Sequence, residues 1–413
     1  MPARSSESQP FAARNIYAFG ITSFLNDTAT EMAYWVLPAF LVSLGAGPAQ
    51  LGLIEGVAES VASFSQLFSG YLADRIRHRK PVVVAGYFIA NAVKPLLAVA
   101  GSWPQILLIR FSDRLSKGFR SAPRDVMVAE SVPKSGLGSA YGLIQSMDSA
   151  GAVAGPIAAL AILSRFSIRS VFWAAAVPGA LCVLAAWAGI REVRTDGTGS
   201  GIGAEKISAA KSGKVIPTLS AAGVKLPVGF YFVLIAVTIF SLGNSSDMFL
   251  VMRAQNVGIR VALAPLLGLV FNITYTLGSW PAGWFSDHFS RRGISRRWIA
   301  AAGYMIFAAV YFVFGRAPSM LAIWITMAVY GLYYALTQPV LKALVVESVR
   351  ADVRGRALGV YFFVTSVATL AASLITGELW KHYGAGVPFY FSAGLAAVSA
   401  MLLMIAPGPA ASV

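Results

Sequence analysis

The feature that most narrows what this chain can fold into is a run of long apolar stretches separated by short polar breaks. They cover residues 15–43, 50–73, 81–100, 104–127, 138–163, 168–190, 228–251, 262–284, 297–315, 319–344, 357–379 and 385–406. A helix needs about 20 apolar residues to cross the hydrocarbon of a bilayer. In lipid, backbone polar groups can be satisfied only inside a helix or a closed barrel. Barrel strands alternate apolar and polar residues over segments of ~10 residues. Continuous runs of this length therefore predict an all-α integral membrane protein with twelve transmembrane helices. The composition agrees: 12% of the 413 residues are charged and 57% are hydrophobic, against about 25% charged in soluble domains. A soluble enzyme, a disordered chain and a disulfide scaffold are excluded. One cysteine, Cys182, cannot form an internal disulfide, and His78, His288 and His382 fall at span edges without ligand spacing, so neither a metal nor another cofactor is expected.

The spacing of the runs predicts a polar N-terminal tail (1–14), a six-helix bundle (15–190), a linker (191–226), a second six-helix bundle (227–406) and a short tail (407–413). The linker is rich in Gly, Ser, Ala and Lys and opens with Thr195-Asp-Gly-Thr-Gly-Ser-Gly, the composition of a flexible connector. Internal repetition supports the division. Ala129-Glu-Ser-Val132 returns as Val346-Glu-Ser-Val349, Gly138 and Gly142 map onto Gly355 and Gly359, Gly70-Tyr-Leu-Ala-Asp74 returns as Gly283-Trp-Phe-Ser-Asp287, and Asn26 pairs with Asn244. Order and near-constant offset point to duplication, and such repeats typify secondary transporters with a substrate site at the midplane between halves. Of the Lys and Arg residues in tails, breaks and linker, twenty fall on the side of the termini and six on the other. By the positive-inside rule both termini are expected in the cytoplasm of a bacterial-type inner membrane. The net charge of +15 is then a topology signal and not a nucleic-acid footprint.

Gly70-Tyr-Leu-Ala-Asp74-Arg75, joining spans two and three and followed by further basic residues, resembles the conserved cytoplasmic loop of the major facilitator superfamily, and the copy ending in Asp287 is a degenerate second instance. The chain departs from that motif at Arg77 and His78. With twelve spans and a central linker the resemblance covers essentially the whole chain. It implies a latch on the inner side, formed by Gly70, Asp74 and Arg75 with Arg124 and Asp125 at the end of span four, and with Asp287 in the second half. In span five, Gly142, Gly151, Gly155 and Pro156 have the spacing of the antiporter signature of the superfamily's drug exporters, except that Ala159 and Leu160 stand where that signature ends in two glycines. Small residues permit close helix approach, and Pro156 introduces a bend.

The remaining candidates are the charges that interrupt the apolar background. An ionised side chain at the bilayer centre costs about 2.5–3.5 kcal/mol on the insertion scale. Asn26, Asp27 and Glu31 lie in span one, with the two acids four residues apart on one helical face. Low dielectric and a neighbouring like charge both favour a neutral carboxyl, the property of a proton carrier; the alternative is a permanent salt bridge to another helix. In span four Arg110, Asp113, Arg114, Lys117, Arg120 and Arg124 follow a helical stripe, which must face the interior or pair with neighbours. By the resemblance, Arg110 stands where many members carry an Arg that steers the coupling acids. Lys94 in span three balances the inventory, and Asp148 in span five is a second proton candidate or the partner of a span-four base. In the second half Asn244 and Asp247 are the clearest polar candidates. The many aromatic residues there, among them Phe271, Tyr275, Trp280, Tyr330, Tyr333, Tyr334 and Tyr361, read mainly as packing or lipid-facing, with some available to a substrate.

These features predict a transporter and not an enzyme, since no nucleophile-base pair or Glu-x-x-His is present. The expected partners are a small-molecule substrate, protons and lipid, on a monomer. Proton-coupled export of a small organic solute is the leading expectation. Proton symport importing an anionic molecule, motivated by the basic stripe, is the alternative.

Overall fold

The interruptions in the apolar runs govern where the helices begin, end and break. The structure, a computed structural model, describes residues 9–75, 78–132, 137–192, 227–291, 295–317, 319–347 and 354–405. Residues 1–8 of the N-terminal tail, the linker from 193 to 226, residues 348–353 with the end of the second Glu-Ser-Val copy, and residues 406–413 lie outside the described residues, as do the side chains of Gly70, Asp74, Arg75 and Asp287. The first half comprises α1 (Gln9–Tyr34), α2 (Leu37–Ser43), α3 (Pro48–Arg75), α4 (Lys80–Val93, prolonged by a 3-10 turn Lys94–Val99), α5 (Trp103–Glu130), α6 (Leu137–Leu163) and α7 (Ile168–Gly189). The second comprises α8 (Val228–Gly243), α9 (Met248–Asn256), α10 (Ala264–Arg291), α11 (Arg296–Arg316), α12 (Met320–Glu347), α13 (Arg354–Tyr383) and α14 (Val387–Ile405). These make twelve crossings, so the chain enters and leaves on one face.

Two of the expected spans are each built from two helices. Span one breaks at Trp35–Val36 because Pro38 sits in the first turn of α2. Its ring excludes the carbonyl of Tyr34 and it offers no N–H to that carbonyl. Span seven breaks between Gly243 and Met248, where the Ser246 hydroxyl accepts from the Met248 N–H at 3.4 Å in place of a helical carbonyl. In corresponding turns of the halves, Gly45 (φ 76°) and Gly258 (φ 106°) adopt the left-handed conformation, which L side chains rarely take.

Helix pairing repeats between the halves. In the first, α3 packs on α5, α1 on α6 and α7, and α4 on α5 and α7. In the second, α10 packs on α12, α8 on α13 and α14, and α11 on α12 and α14. The halves meet through α3 against α13 and α6 against α10, again a symmetric pair. This is the geometry expected of a duplicated bundle.

Nine spans among the described residues are apolar enough to cross a membrane on length and composition. Those built on α1, α3 and α5 are not among them, and they carry Asp27, Glu31, Glu55, Glu59 and the basic stripe. Large apolar side chains such as Phe68, Leu108, Trp173, Trp187, Leu277 and Leu321 point outward, as lipid requires. On the face away from the termini the halves are in contact. α2 meets α9, the Gly377 backbone lies so close to Pro48 that a Cβ would fall 2.7 Å from its carbonyl oxygen, and the Trp35 indole lies on Gly268 of α10.

Candidate functional site

The basic stripe of α5 faces inward, and its Arg110 and Arg114 are paired there with carboxylates of α3. Glu55 of α3 is fully buried and Arg110 is 5% exposed. The guanidinium Nε and Nη2 of Arg110 donate to the two Glu55 oxygens at 2.9 and 3.0 Å, a bidentate pair. Asp113 lies 3.7 Å from the same guanidinium. Arg114 pairs with Glu59, one turn along α3, at 3.1 Å. Glu55 also reaches the other half: Ser246, in the break before α9, donates to its Oε2 at 3.2 Å. The Arg110 guanidinium sits 5.7 Å from the Tyr34 ring centroid. A cavity of about 20 Å³ bordered by Thr30, Tyr34, Lys94, Arg110 and Asp113 is large enough for one water. Arg120 is also buried, with its guanidinium 4.3 Å over the Tyr87 ring. Lys117 is exposed, yet it lies within electrostatic reach of Glu31, Glu59 and Asp27, so the surface it offers belongs to the interior.

Asp27 and Glu31 of α1 are partly exposed in the same interior, and among the described residues neither forms an ion pair. Each takes a neutral donor. Asn26 Nδ2 donates to Asp27 Oδ1 at 3.1 Å, and Trp35 Nε1 donates to Glu31 Oε2 at 2.6 Å. The Asn26 contact ends a line of amides: buried Lys94 donates to Asn91 Oδ1 at 2.9 Å, and Asn91 Nδ2 approaches Asn26 Oδ1 at 3.3 Å. The glycines of α6 pack on these acids. A Cβ on Gly151 would lie 3.0 Å from the Asp27 Cβ, and one on Gly155 would lie 2.7 Å from the Glu31 Cβ. Pro156, inside α6, leaves the Ala152 carbonyl without its helical N–H, and Asn272 of α10 donates to that oxygen at 3.1 Å. The proline thereby creates a hydrogen bond between the halves. Asp148, also on α6, is half-buried and lies within electrostatic reach of Asp27 and Arg124.

In the second half Asp247 accepts from the Tyr330 hydroxyl at 2.7 Å and from the Tyr334 hydroxyl at 3.3 and 3.4 Å. The rings continue across the molecule. Tyr334 lies 5.1 Å from Phe271 and 5.9 Å from Tyr275, and Phe271 lies 6.3 Å from Trp35. An aromatic belt so joins the donor on Glu31 to the donors on Asp247. Buried Phe271, Tyr330 and Tyr333 face inward and not toward lipid.

Most of the residues singled out in the sequence converge here: Asn26, Asp27, Glu31, Lys94, Arg110, Asp113, Arg114, Lys117, Asp148 and Asp247, with Gly151 and Gly155 behind them. Asn244 lies in the same break as Asp247. Gly142 is on α6 farther toward the termini. Of the latch residues, Arg124 donates to its neighbour Asp125 at 3.0 Å, and the side chains of Gly70, Asp74, Arg75 and Asp287 lie outside the described ones. Glu55 and Glu59 are the site residues that the sequence reading did not single out. The two glutamates are four residues apart in an apolar run, the pattern that drew notice to Asp27 and Glu31. They, and not the α1 acids, take the α5 arginines.

The sequence profile of the Major Facilitator Superfamily matches residues 19–253 and 232–413. The uncharacterized MFS-type transporter MJ1317 of Methanocaldococcus jannaschii is 32% identical over 409 residues, covering 97% of each chain. The multi-drug resistance efflux pump PmrA of Streptococcus pneumoniae is 30% identical over 155 residues, 36% of this chain and 38% of that protein. Among solved structures, a bacterial homolog of the human lysosomal transporter Spinster, inward-facing and unoccupied, has a TM-score of 0.71 with 16% identity over 96% of both chains. Profile, full-length relative and shared fold agree with the duplicated, charge-lined interior: the chain belongs to the major facilitator superfamily and is a membrane transporter, not an enzyme.

Proposed function

We propose that the protein is a proton-coupled secondary transporter that exports small organic solutes or drugs by alternating access across a bacterial-type inner membrane. Both termini are cytoplasmic, and the bundles 15–190 and 227–406 rock about the interior site. The observation that carries this reading is the state of the α1 acids. Asp27 and Glu31 are partly exposed, have no ion-pair partner among the described residues, and take one neutral donor each. A carboxylate locked to an arginine cannot release and rebind a proton without breaking the pair, whereas these two can. Asp148 is a third acid within reach of the same pathway. The matched pairs Arg110–Glu55 and Arg114–Glu59 hold α3 and α5 together and set the field around the α1 acids. The loop from Gly70 to Lys80 acts as the latch on the termini side. A drug-type cargo is supported by the likeness to an efflux pump over the part of the chain that PmrA matches.

The alternative, symport importing an anionic cargo, is favoured less because two bases of the stripe, Arg110 and Arg114, already have carboxylate partners, which leaves Lys117 as the stripe's charge on the interior surface. The test is transport of a fluorescent substrate in proteoliposomes under an imposed pH gradient. Exchange of substrate against protons is expected, and Asp27→Asn or Glu31→Gln should uncouple it. Full gradient-driven transport by both variants would refute the assignment, and accumulation on the side to which protons flow would establish symport instead.

A further inference from the structure

Like Asp27 and Glu31, Asp247 is an interior acid without a neutralising arginine among the described residues, but it lies in the second half and takes phenol donors. Glu55, Glu59 and Asp113 each have an arginine within 4.0 Å; among the described residues Asp247 has none. Its partners are the Tyr330 and Tyr334 hydroxyls, and the charged groups that act on it most strongly are Glu59 and Glu55, both acids. In the same break, Asn244 Oδ1 is buried and receives no hydrogen bond within the protein. Around the carboxylate the rings of Tyr330, Tyr334, Phe271 and Tyr275 meet at centroid distances of 5.1–6.0 Å, with Tyr275 and Tyr334 partly exposed.

A carboxylate, an unused carbonyl oxygen and aromatic faces complement a positive charge carried on an apolar body. A hard metal ion would demand several oxygen ligands at short range, and one carboxylate with phenols does not supply them. We propose that Asp247, Asn244 and this aromatic wall form a subsite for an organic cation, with the charge on Asp247 and the apolar body against Tyr334, Tyr275 and Phe271. The assignment rests on the transport reading above and specifies its cargo. It places substrate charge in the second half and proton exchange in the first, linked by the belt through Phe271 and Trp35.

The test is equilibrium binding of tetraphenylphosphonium to the purified full-length protein in lipid nanodiscs, with no gradient applied. Saturable binding is expected for the unmodified protein. Asp247→Asn should weaken it at least tenfold, and Tyr334→Leu several-fold. Tyr334→Phe keeps the ring and should stay within about twofold. Each variant is checked for monodispersity, and Tyr334→Leu leaves the proposal testable should Asp247→Asn fail to fold. Absence of saturable binding by the unmodified protein, or affinity unchanged in Asp247→Asn, overturns the subsite. Neither result touches the proton assignment, which is read from gradient-driven flux in the α1 variants. Conversely, binding that depends on Asp247, together with uncoupled flux in unmodified protein, overturns only the proton assignment.

Discussion

Replacing Glu55 by glutamine separates charge from shape in the tightest ion pair of the interior. The amide fills the same volume and can still accept from Ser246. The change leaves Arg110, 5% exposed, with Asp113 at 3.7 Å in place of a bidentate carboxylate at 2.9 and 3.0 Å. Removing one member of a buried pair costs about 3–5 kcal/mol, because the survivor stays charged in a poorly solvating site. The residual Asp113 contact places the expected loss at the low end, about 3 kcal/mol. Arg110→Gln leaves a buried Glu55 with only the Ser246 hydroxyl and should cost at least as much. Removing both charges removes the cause of both penalties, so the double variant should be more stable than either single one. The coupling energy should exceed about 1 kcal/mol, within the range for directly interacting residues. Reversible unfolding in mixed micelles provides the comparison. If the two single costs simply add in the double variant, or if Glu55→Gln is as stable as the unmodified protein, the pair does not hold the α3–α5 interface as described.

Three further outcomes follow from close contacts. Gly155→Ala puts a methyl 2.7 Å from the Glu31 Cβ and 2.8 Å from the Thr28 carbonyl oxygen; overpacking of this kind costs about 1–3 kcal/mol, and gradient-driven transport should fall sharply while transport without a gradient falls less. Gly268→Ala would drive a Cβ into the Trp35 indole, and so disfavours contact of the halves away from the termini. Cross-linking between cysteines introduced on α2 and α9, which are in contact there, should slow in Gly268→Ala and recover when Trp35→Ala is added. Asn272→Ala strands the Ala152 carbonyl that Pro156 has freed, with an expected loss of about 1–3 kcal/mol measured by unfolding; pairing it with Pro156→Ala should return most of that loss, because the α6 backbone then supplies its own donor.

The spans were legible because lipid imposes one strong rule on length and hydropathy, and the breaks were less so. Pro38 explains the first break on inspection, but its residue is only one among the prolines of this chain, and Pro156, equally intrahelical, leaves α6 continuous. The second break has no proline, and the Ser246 hydroxyl on the Met248 N–H that follows it is a contact that any helical serine run could equally forgo. At the site, the α1 acids and the α5 stripe were legible because an ionisable residue is expensive in a membrane. The pairing was not. Arg110 meets Glu55 and not Asp27 because α3, not α1, packs along that side of α5, and the choice of neighbour is a property of bundle topology that helical periodicity does not contain. The antiporter-like glycines were visible as a spacing. That they rest against Asp27 and Glu31 themselves becomes visible only once α1 and α6 are in contact.

The distribution of charge gives the two halves different work. In the first half Arg110 and Arg114 are matched by carboxylates of a neighbouring helix, and Asp27 and Glu31 on α1, like Asp148 on α6, form no ion pair among the described residues. In the second, one carboxylate stands among phenols. Were the interior built for an anion, the arginines of α5 would have to break from Glu55 and Glu59 whenever cargo arrived, and each released glutamate would remain buried. A cation requires no such rearrangement, because the groups it meets at Asp247 and along the aromatic belt are already arranged for positive charge. The halves pack along α3–α13 and α6–α10, and the side-chain hydrogen bonds that cross between them, Ser246 on Glu55, Asn272 on Ala152 and Ser60 on the Ser366 carbonyl, are single ones. The buried arginine–glutamate pairs lie inside the first bundle, so the halves can part in a transport cycle without separating them, and rigid bundles with an exchangeable interface follow from that allocation of charge.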